Sequence, residues 1–316
     1  MIHTITAKLF SEDRKMDHME KVNAVSRMQN LIISNLDDVT LGSLCTSAGY
    51  SKYHAIRMFN EIVGKTPGEY IRALRLTKAA EELRDSGGKI IDVALASGFD
   101  SHDGFTRAFK RQFNITPDRY SREKPAVRYF IHYPIESYYH LKNGEKLMNN
   151  ERVSRTVTVT AVERPARKLI LLRAEKTTGG DYFAFCEEKD CEWEGVLNSI
   201  SEKFAPAALL TLPKSLVTNG TSDTAAGVEV PVDYSKPVPE GYDVIDLIPC
   251  TMLFFNGAPY DIGEDFCIAI DIVWEAVDNY DPEMYGWQAA SELAPRFNFG
   301  ADEKQGARMA IPVLRK

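Results

Sequence analysis

The chain has 316 residues, with 38 Lys+Arg against 45 Asp+Glu, a formal net charge of −7, 44% hydrophobic and 26% charged residues. At about 100–200 residues per domain this length calls for two domains, each able to bury a core. No apolar run exceeds five residues, as in Phe266 to Ile270, against the ~20 needed to span a bilayer, which excludes a transmembrane helix and gives the expectation of no membrane partner.

Met1 to Arg14 lacks the apolar core and small-residue cleavage site of a signal peptide, so a cytoplasmic location is expected. The five cysteines (Cys45, Cys186, Cys191, Cys250, Cys267) lack paired C-x-x-C spacing and read as buried reduced thiols, with no metal or cofactor expected. Two internal repeats divide the chain. The first aligns Ala48-Gly49-Tyr50-Ser51 with Ser97-Gly98-Phe99-Asp100 and Thr66-Pro67 with Thr116-Pro117. The second aligns Arg164-Pro165-Ala166 with Ile248-Pro249-Cys250 and Trp193-Glu194 with Trp274-Glu275. Between them Ser121 to Arg152 is polar and aperiodic, which predicts a domain at 17–121, a linker at 122–152 and a second domain at 153–316.

In chain order, Val22, Val25, Met28 and Ile32 recur at helical spacing from Glu20 and predict a helix that stops before Asp37. Thr40 is placed to cap a second helix ending at Gly49, and Ser51 a third. On the third, Ala55, Met58, Phe59 and Ile62 share one face and Tyr53, Ile56, Arg57 and Asn60 the other. A short helix, a glycine turn and a second helix with a polar outward face is the helix-turn-helix pattern. It recurs around Gly98, with Asp100 expected as the cap, Phe105, Phe109 and Phe113 inward, and His102, Asp103, Thr106, Arg107 and Lys110 outward. Thr66-Pro67-Gly68-Glu69 predicts a capping box opening a helix of about 17 residues, roughly 25 Å, between the two units and ended by Gly87-Gly88. A rod of that length suits two recognition helices one DNA turn apart.

These residues resemble the DNA-binding module of the AraC/XylS family of bacterial transcription regulators. Gly98-Phe99-Asp100-Ser101, Phe105 to Arg111, and Thr116-Pro117 with Tyr120 carry the resemblance most strongly, over about Asp17 to Tyr120. It implies promoter double-stranded DNA and RNA polymerase as partners. Base contacts would come from Tyr53, Ile56 and Arg57 in the first unit and His102, Asp103, Thr106 and Arg107 in the second. Arg57 and Arg107 suit bidentate pairing with guanine, and Ile56 a thymine methyl; Asp103 suits either cytosine N4 or its own helix N-terminus. Lys52, Lys65, Lys110, Arg111 and Arg119 are natural phosphate partners.

From Val153 the pattern turns to strands. Lys168 to Leu172 reads as a buried strand, Glu192 to Phe204 as a helix, and Ala208 to Val217 and Gly227 to Val232 as strands. The order recurs from Tyr242 to Phe255, Phe266 to Tyr280, Arg296 to Phe299 and Arg308 to Val313. The predicted fold class is therefore multidomain: an all-α double helix-turn-helix domain followed by an α+β domain of two pseudo-symmetric β-β-α-β-β repeats. The second half resembles the gyrase-inhibitor-like effector-binding domain, on Ala226 to Val230, Gly241 to Gly257, Trp274-Glu275 and Met309 to Val313. The resemblance implies a small lipophilic effector, in many members cationic, in an aromatic groove, with Tyr182, Phe185, Trp193, Trp274, Glu275, Tyr285 and Asn298 as candidate contacts. Asn298 stands where relatives often carry a carboxylate.

No catalytic residues are expected. Two other readings stay open: a hydrolase of small electrophilic compounds fused to a DNA-binding module, with Glu188, Glu229 or Glu275 as base, and an architectural DNA binder without a ligand. The charge is split: residues 1–125 hold 19 Lys+Arg against 16 Asp+Glu, and residues 126–316 hold 19 against 29. The acidity that weighs against nucleic acid in the whole chain belongs to the second half.

Overall fold

Among helices of the first half, caps decide the boundaries. In the computed structural model, which describes residues 12–136, 139, 153–260 and 265–316, with side chains from His18 onward, the chain divides into two compact units between Tyr139 and His140. Residues 1–11, most of the stretch read above for a signal peptide, lie outside the described residues.

The first unit is built on the helices α1 (Glu12–Ser34), α2 (Leu41–Ala48), α3 (Lys52–Val63), α4 (Pro67–Asp85), α5 (Ile90–Ala96), α6 (His102–Phe113) and α7 (Pro117–Glu123). Thr40 opens α2 through a capping box with Ser43, and Thr66 opens α4 through one with Glu69. The Glu69 carboxyl is held below its usual range first by the Thr66 backbone N–H. Two expected caps differ. Ser51 occupies the cap position of α3 without a side-chain cap bond, and α6 is capped by Ser101, whose hydroxyl accepts from the Gly104 N–H at 3.2 Å, rather than by Asp100. Asp100 is one residue too early to reach the free N–H groups of that first turn.

Two cores form. Val22, Val25, Met28 and Ile32 of α1 close over Leu44, Ala55, Phe59 and Tyr70, and Leu76, Ala79, Ala80 and Leu83 close over Val93, Phe105, Phe109, Phe113 and Tyr120. α4 feeds both, Tyr70 into the first and Leu76 to Leu83 into the second. Its 19 residues make a rod of about 28 Å.

Residues 124–135, expected within the linker, instead form a strap on this unit. Val127 and Tyr129 are buried in the second core, and Phe130 and Ile135 pack against the first. The Phe130 N–H donates to Thr77 Oγ1 at 2.9 Å, the Ile135 N–H to Gln29 Oε1 at 3.0 Å, and Gln29 Nε2 to the Tyr133 carbonyl at 3.2 Å. The segment lacks a period because these bonds run to helices 53 to 106 residues upstream, so nothing local in the sequence marks it as ordered. The rest of the expected linker, 137–138 and 140–152, lies outside the described residues.

The second unit is an antiparallel sheet with helices. Its strands are β1 (Val157–Arg164), β2 (Arg167–Arg173), β3 (Ala208–Thr211), β4 (Thr224–Pro231), β5 (Asp243–Leu247), β6 (Cys250–Gly257), β7 (Trp287–Ala289), β8 (Arg296–Asp302) and β9 (Gly306–Arg315). The main path runs β1-β6-β9-β8-β3-β4-β2-β5, with β7 paired to β9. α8 (Tyr182–Lys189), α9 (Glu192–Asn198) and α10 (Phe266–Asp278) are its helices. α9 is shorter than the expected 192–204: past Asn198, whose side chain accepts the Ala207 N–H at 3.0 Å, Lys203 Nζ closes on the carbonyls of Asn198 and Ile200 at 2.8 and 2.7 Å. α8 and β7 are absent from the sequence expectation.

Candidate nucleic-acid interface and second-unit site

The turn of each helix-turn-helix is built by a left-handed glycine, Gly49 at φ 76° and Gly98 at φ 75°. Basic side chains from neighbouring helices hold the first of these turns and the α1–α2 loop that leads into it. Arg27 of α1 donates to the carbonyls of Ser47 and Ala48 at 2.9 and 3.1 Å, where α2 ends. Arg75 of α4 donates to Leu36 and Asp37 carbonyls at 2.8–3.0 Å. Sequence reading misses both, since each partner carbonyl lies 20 residues or more away and no motif joins them.

With Ala55, Met58, Phe59 and Ile62 buried, α3 presents Lys52, Tyr53 and Arg57 to solvent and Ile56 half-buried. Tyr53 is 77% exposed, which no packing role accounts for. Arg57 pairs with Glu61 one turn on, at 3.1 Å. On α6, with Phe105, Ala108, Phe109 and Phe113 buried, His102, Asp103, Arg107, Lys110 and Arg111 are exposed. Asp103 does not cap the helix; its neighbour is His102 Nδ1 at 3.7 Å. Thr106 stands half-buried among them, its hydroxyl oxygen enclosed and without a hydrogen-bond partner. All ten expected DNA-facing residues thus lie on the outward faces of α3 and α6. Lys110 and Arg111 in the last turn of α6 also complement its C-terminal dipole.

In the second unit, Tyr182, Phe185 and Trp193 come together: Trp193 meets the other two edge to face at 6.2 and 5.9 Å. Phe185 is wholly enclosed and Trp193 nearly so, so of these three Tyr182 has the most open surface. Elsewhere Arg296 lies 4.1 Å over the face of Trp274 and pairs with Asp278 at 2.9 Å. Tyr285 stacks on Tyr280 at 5.1 Å, Glu275 pairs with Arg155, and Asn298 accepts the Gly300 N–H at 2.9 Å. One face of Trp274 therefore carries the protein's own guanidinium.

The three carboxylates considered as bases are each engaged. Glu229, 3% exposed, is paired with Arg167 and, at 3.3 Å, with Arg164. Glu188 accepts from the N–H groups of Glu175, Lys176 and Thr177 at 2.6–3.1 Å; burial opposes its charge, but these bonds hold it down to about 2. Among the described residues no three His, Cys, Asp or Glu side chains are placed to hold a metal, and no helix is long and apolar enough to cross a membrane.

Two helix-turn-helix units on one shared helix, each with a polar outward face on its second helix, define a double helix-turn-helix protein. The helix-turn-helix domain family matches residues 44–123. The chain is similar to the transcriptional regulator Rob of Salmonella typhimurium, 44% identical over 97 residues, covering 31% of this chain and 34% of Rob. It is also similar to the probable transcription factor PqrA of Proteus vulgaris (36% over 99 residues, 31% of this chain and 81% of that protein) and to the multiple antibiotic resistance protein MarA of Salmonella typhimurium (37% over 90 residues, 28% and 71%). A solved AraC-type regulator from Chromobacterium violaceum is 26% identical, with a TM-score of 0.30, covering 32% of this chain and 90% of that one. The chain belongs to the AraC/XylS family of transcription regulators. It spans about a third of the length of Rob.

Proposed function

We propose that the chain is a one-component regulator that binds promoter double-stranded DNA through α3 and α6 and a small-molecule effector through its second unit. The observation that carries the DNA reading is the equivalent placement of Arg57 and Arg107 on outward faces of two helices joined to one rod. In this reading Tyr53, Ile56, Arg57, His102, Asp103, Thr106 and Arg107 meet base edges. Lys52, Lys110 and Arg111 neutralise phosphates. RNA polymerase is the further partner, and the cytoplasm the location.

Supporting two β-β-α-β-β repeats in the second unit, exchanging β1, β2, β3 and β4 with β5, β6, β8 and β9 leaves the strand order β1-β6-β9-β8-β3-β4-β2-β5 unchanged on reversal. The expected linker boundary moves to about residue 136 in this reading. For the effector, Tyr182, Trp193, Trp274, Tyr285 and Asn298 are the proposed contacts, with Phe185 packed beneath and Glu275 at the rim. A ligand alters DNA occupancy only through unequal affinity for the two states of the protein. All three tryptophans, Trp193, Trp274 and Trp287, lie in the second unit. A tryptophan-fluorescence titration of the full chain against cationic and neutral aromatic compounds, paired with genome-wide pull-down of bound DNA, tests both halves. Saturable quenching with changed promoter occupancy supports the reading; a set of bound sites that shows no shared sequence defeats it.

A further inference from the structure

Arg164, the last residue of β1, stands opposite Cys250 of β6, and Arg167 opens β2 three residues on. Arg167 is engaged at every nitrogen. It donates to Glu229, to the carbonyls of Pro165 and Ile248 at 3.3 and 2.9 Å, and to Cys250 Sγ at 3.4 Å. Arg164 differs. Its side chain is only 11% exposed and lies over the rings of Phe204 and Phe254, with the guanidinium carbon 5.4 and 5.2 Å from their centroids. Its Nε stands 3.3 Å from the second Glu229 oxygen without the alignment of a hydrogen bond, and among the described residues none of its N–H groups has an acceptor.

A guanidinium carries five N–H donors in one plane. Aromatic faces offset part of what it loses on leaving water, but they leave the donors along its edge unsatisfied. Two guanidiniums here share the single Glu229 carboxylate, so one positive charge is left over. That surplus sits in an acidic half of the chain, where residues 126–316 hold 19 Lys+Arg against 29 Asp+Glu. The junction itself does not require a guanidinium, because the alignment of the two repeats puts Ile248 at the position of Arg164. The rim is apolar. Phe204, whose N–H donates to the Glu229 carbonyl at 3.0 Å, and Ile248, whose carbonyl Arg167 holds, are both exposed.

We propose that Arg164 anchors an amphipathic monoanion, a carboxylate on an apolar body, where β1 turns into β2. The carboxylate meets the guanidinium edge on, in the bidentate geometry that contact with ring faces leaves free. The apolar body lies against Phe204 and Ile248. A surplus of one positive charge matches a carboxylate better than the dianion of a phosphate monoester, and it repels a cation. The proposal rests on the reading of the second unit as an effector-binding domain, and it assigns the ligand's charged end to a cluster that contains none of the contacts expected from sequence.

Calorimetric titration of the full chain with octanoate, octanol and octylamine at neutral pH separates the charge of the ligand from its apolar body. Octanoate is expected to bind saturably, about 10- to 150-fold more tightly than octanol, the range for a hydrogen bond to a charged group. Arg164→Met keeps an apolar stem against the two rings and is expected to bring octanoate down to the level of octanol. Arg164→Lys, which keeps the charge but not the planar fork, should fall between. Urea midpoints of both variants separate lost affinity from lost folding. Octanoate binding no tighter than that of octanol in the wild-type chain overturns the proposal without recourse to either variant, as does unchanged octanoate affinity in a folded Arg164→Met. Saturable binding that favours octylamine overturns it too, while leaving the effector-binding reading in place.

Discussion

Gly98 and Arg75 occupy each other's space: a methyl group on Gly98 would stand 2.9 Å from an Arg75 terminal nitrogen. That same guanidinium reaches back to the carbonyls of Leu36 and Asp37 in the loop between α1 and α2. The glycine in the turn of the second helix-turn-helix thus leaves room for the arginine that holds the loop entering the first.

Gly98→Ala is expected to cost about 1–2 kcal/mol for the left-handed backbone, plus about 1 kcal/mol for each Arg75 hydrogen bond that gives way. Arg75→Met should remove the second contribution alone. Because both act on one guanidinium, the double variant should be less destabilised than the sum of the singles. Urea unfolding of the three variants checks this; strict additivity would show that the two residues act separately.

Arg107 makes no ion pair among the described residues, whereas Arg57 is held by Glu61. Arg107→Ala is expected to lose about 1–3 kcal/mol of affinity for the specific site, near 5- to 150-fold, with the fold intact because the side chain is exposed. Arg57→Ala should lose less, since binding by wild type must first break an exposed pair. Fluorescence anisotropy on specific and scrambled duplexes reads both. Equal losses on the two duplexes would place Arg107 on phosphate instead, with a salt slope reduced by about one.

His132, in the strap, is pushed down to about 4 by burial, and its Nδ1 hydrogen-bonds the Tyr70 hydroxyl. Its folded value lies below the unfolded one near 6.5, so the unfolded chain binds the extra proton. Stability is therefore complete above pH 6.5 and declines as pH falls toward 4, by about 3 kcal/mol at most. His132→Gln should flatten this dependence. Urea midpoints of wild type and variant at pH 7 and pH 4.5 give the comparison, and parallel losses would assign the acid response to other groups.

Glu229→Gln leaves the wholly buried Arg167 without its counter-charge. Breaking such a pair costs about 3–5 kcal/mol. A large drop in Tm is expected, measured by scanning calorimetry. An unchanged Tm would free Glu229 for another role, including that of a base.

The helical unit was readable because its determinants are local. Thr40 and Thr66 act on N–H groups three residues on, and Phe105, Phe109 and Phe113 repeat at a helical period. Legibility failed where contacts are distant. The strap depends on Gln29 and Thr77, and Arg167 bonds to Ile248 and Cys250, 81 and 83 residues away. α8 escaped because its Tyr-Phe-Ala-Phe-Cys run has no helical or strand period, and only the Asp181 cap, accepting from Ala184 at 3.0 Å, signals it. Of the candidate contacts in the second unit, sequence supplied the aromatic residues but not the arginine seated on Trp274.

The strand order also sets a schedule. β1 is bonded along its length to β6, with Val157 opposite Gly257, so its partner is about a hundred residues downstream. At synthesis rates of about 5–20 residues per second, β1 leaves the ribosome roughly 5–20 s before anything can pair with it. The helical unit precedes it and can close first. Through that interval β1 is an open edge, and its alternation of Thr158 and Thr160 with valine and alanine keeps the waiting strand half polar, an arrangement that limits its pairing with a neighbouring nascent chain.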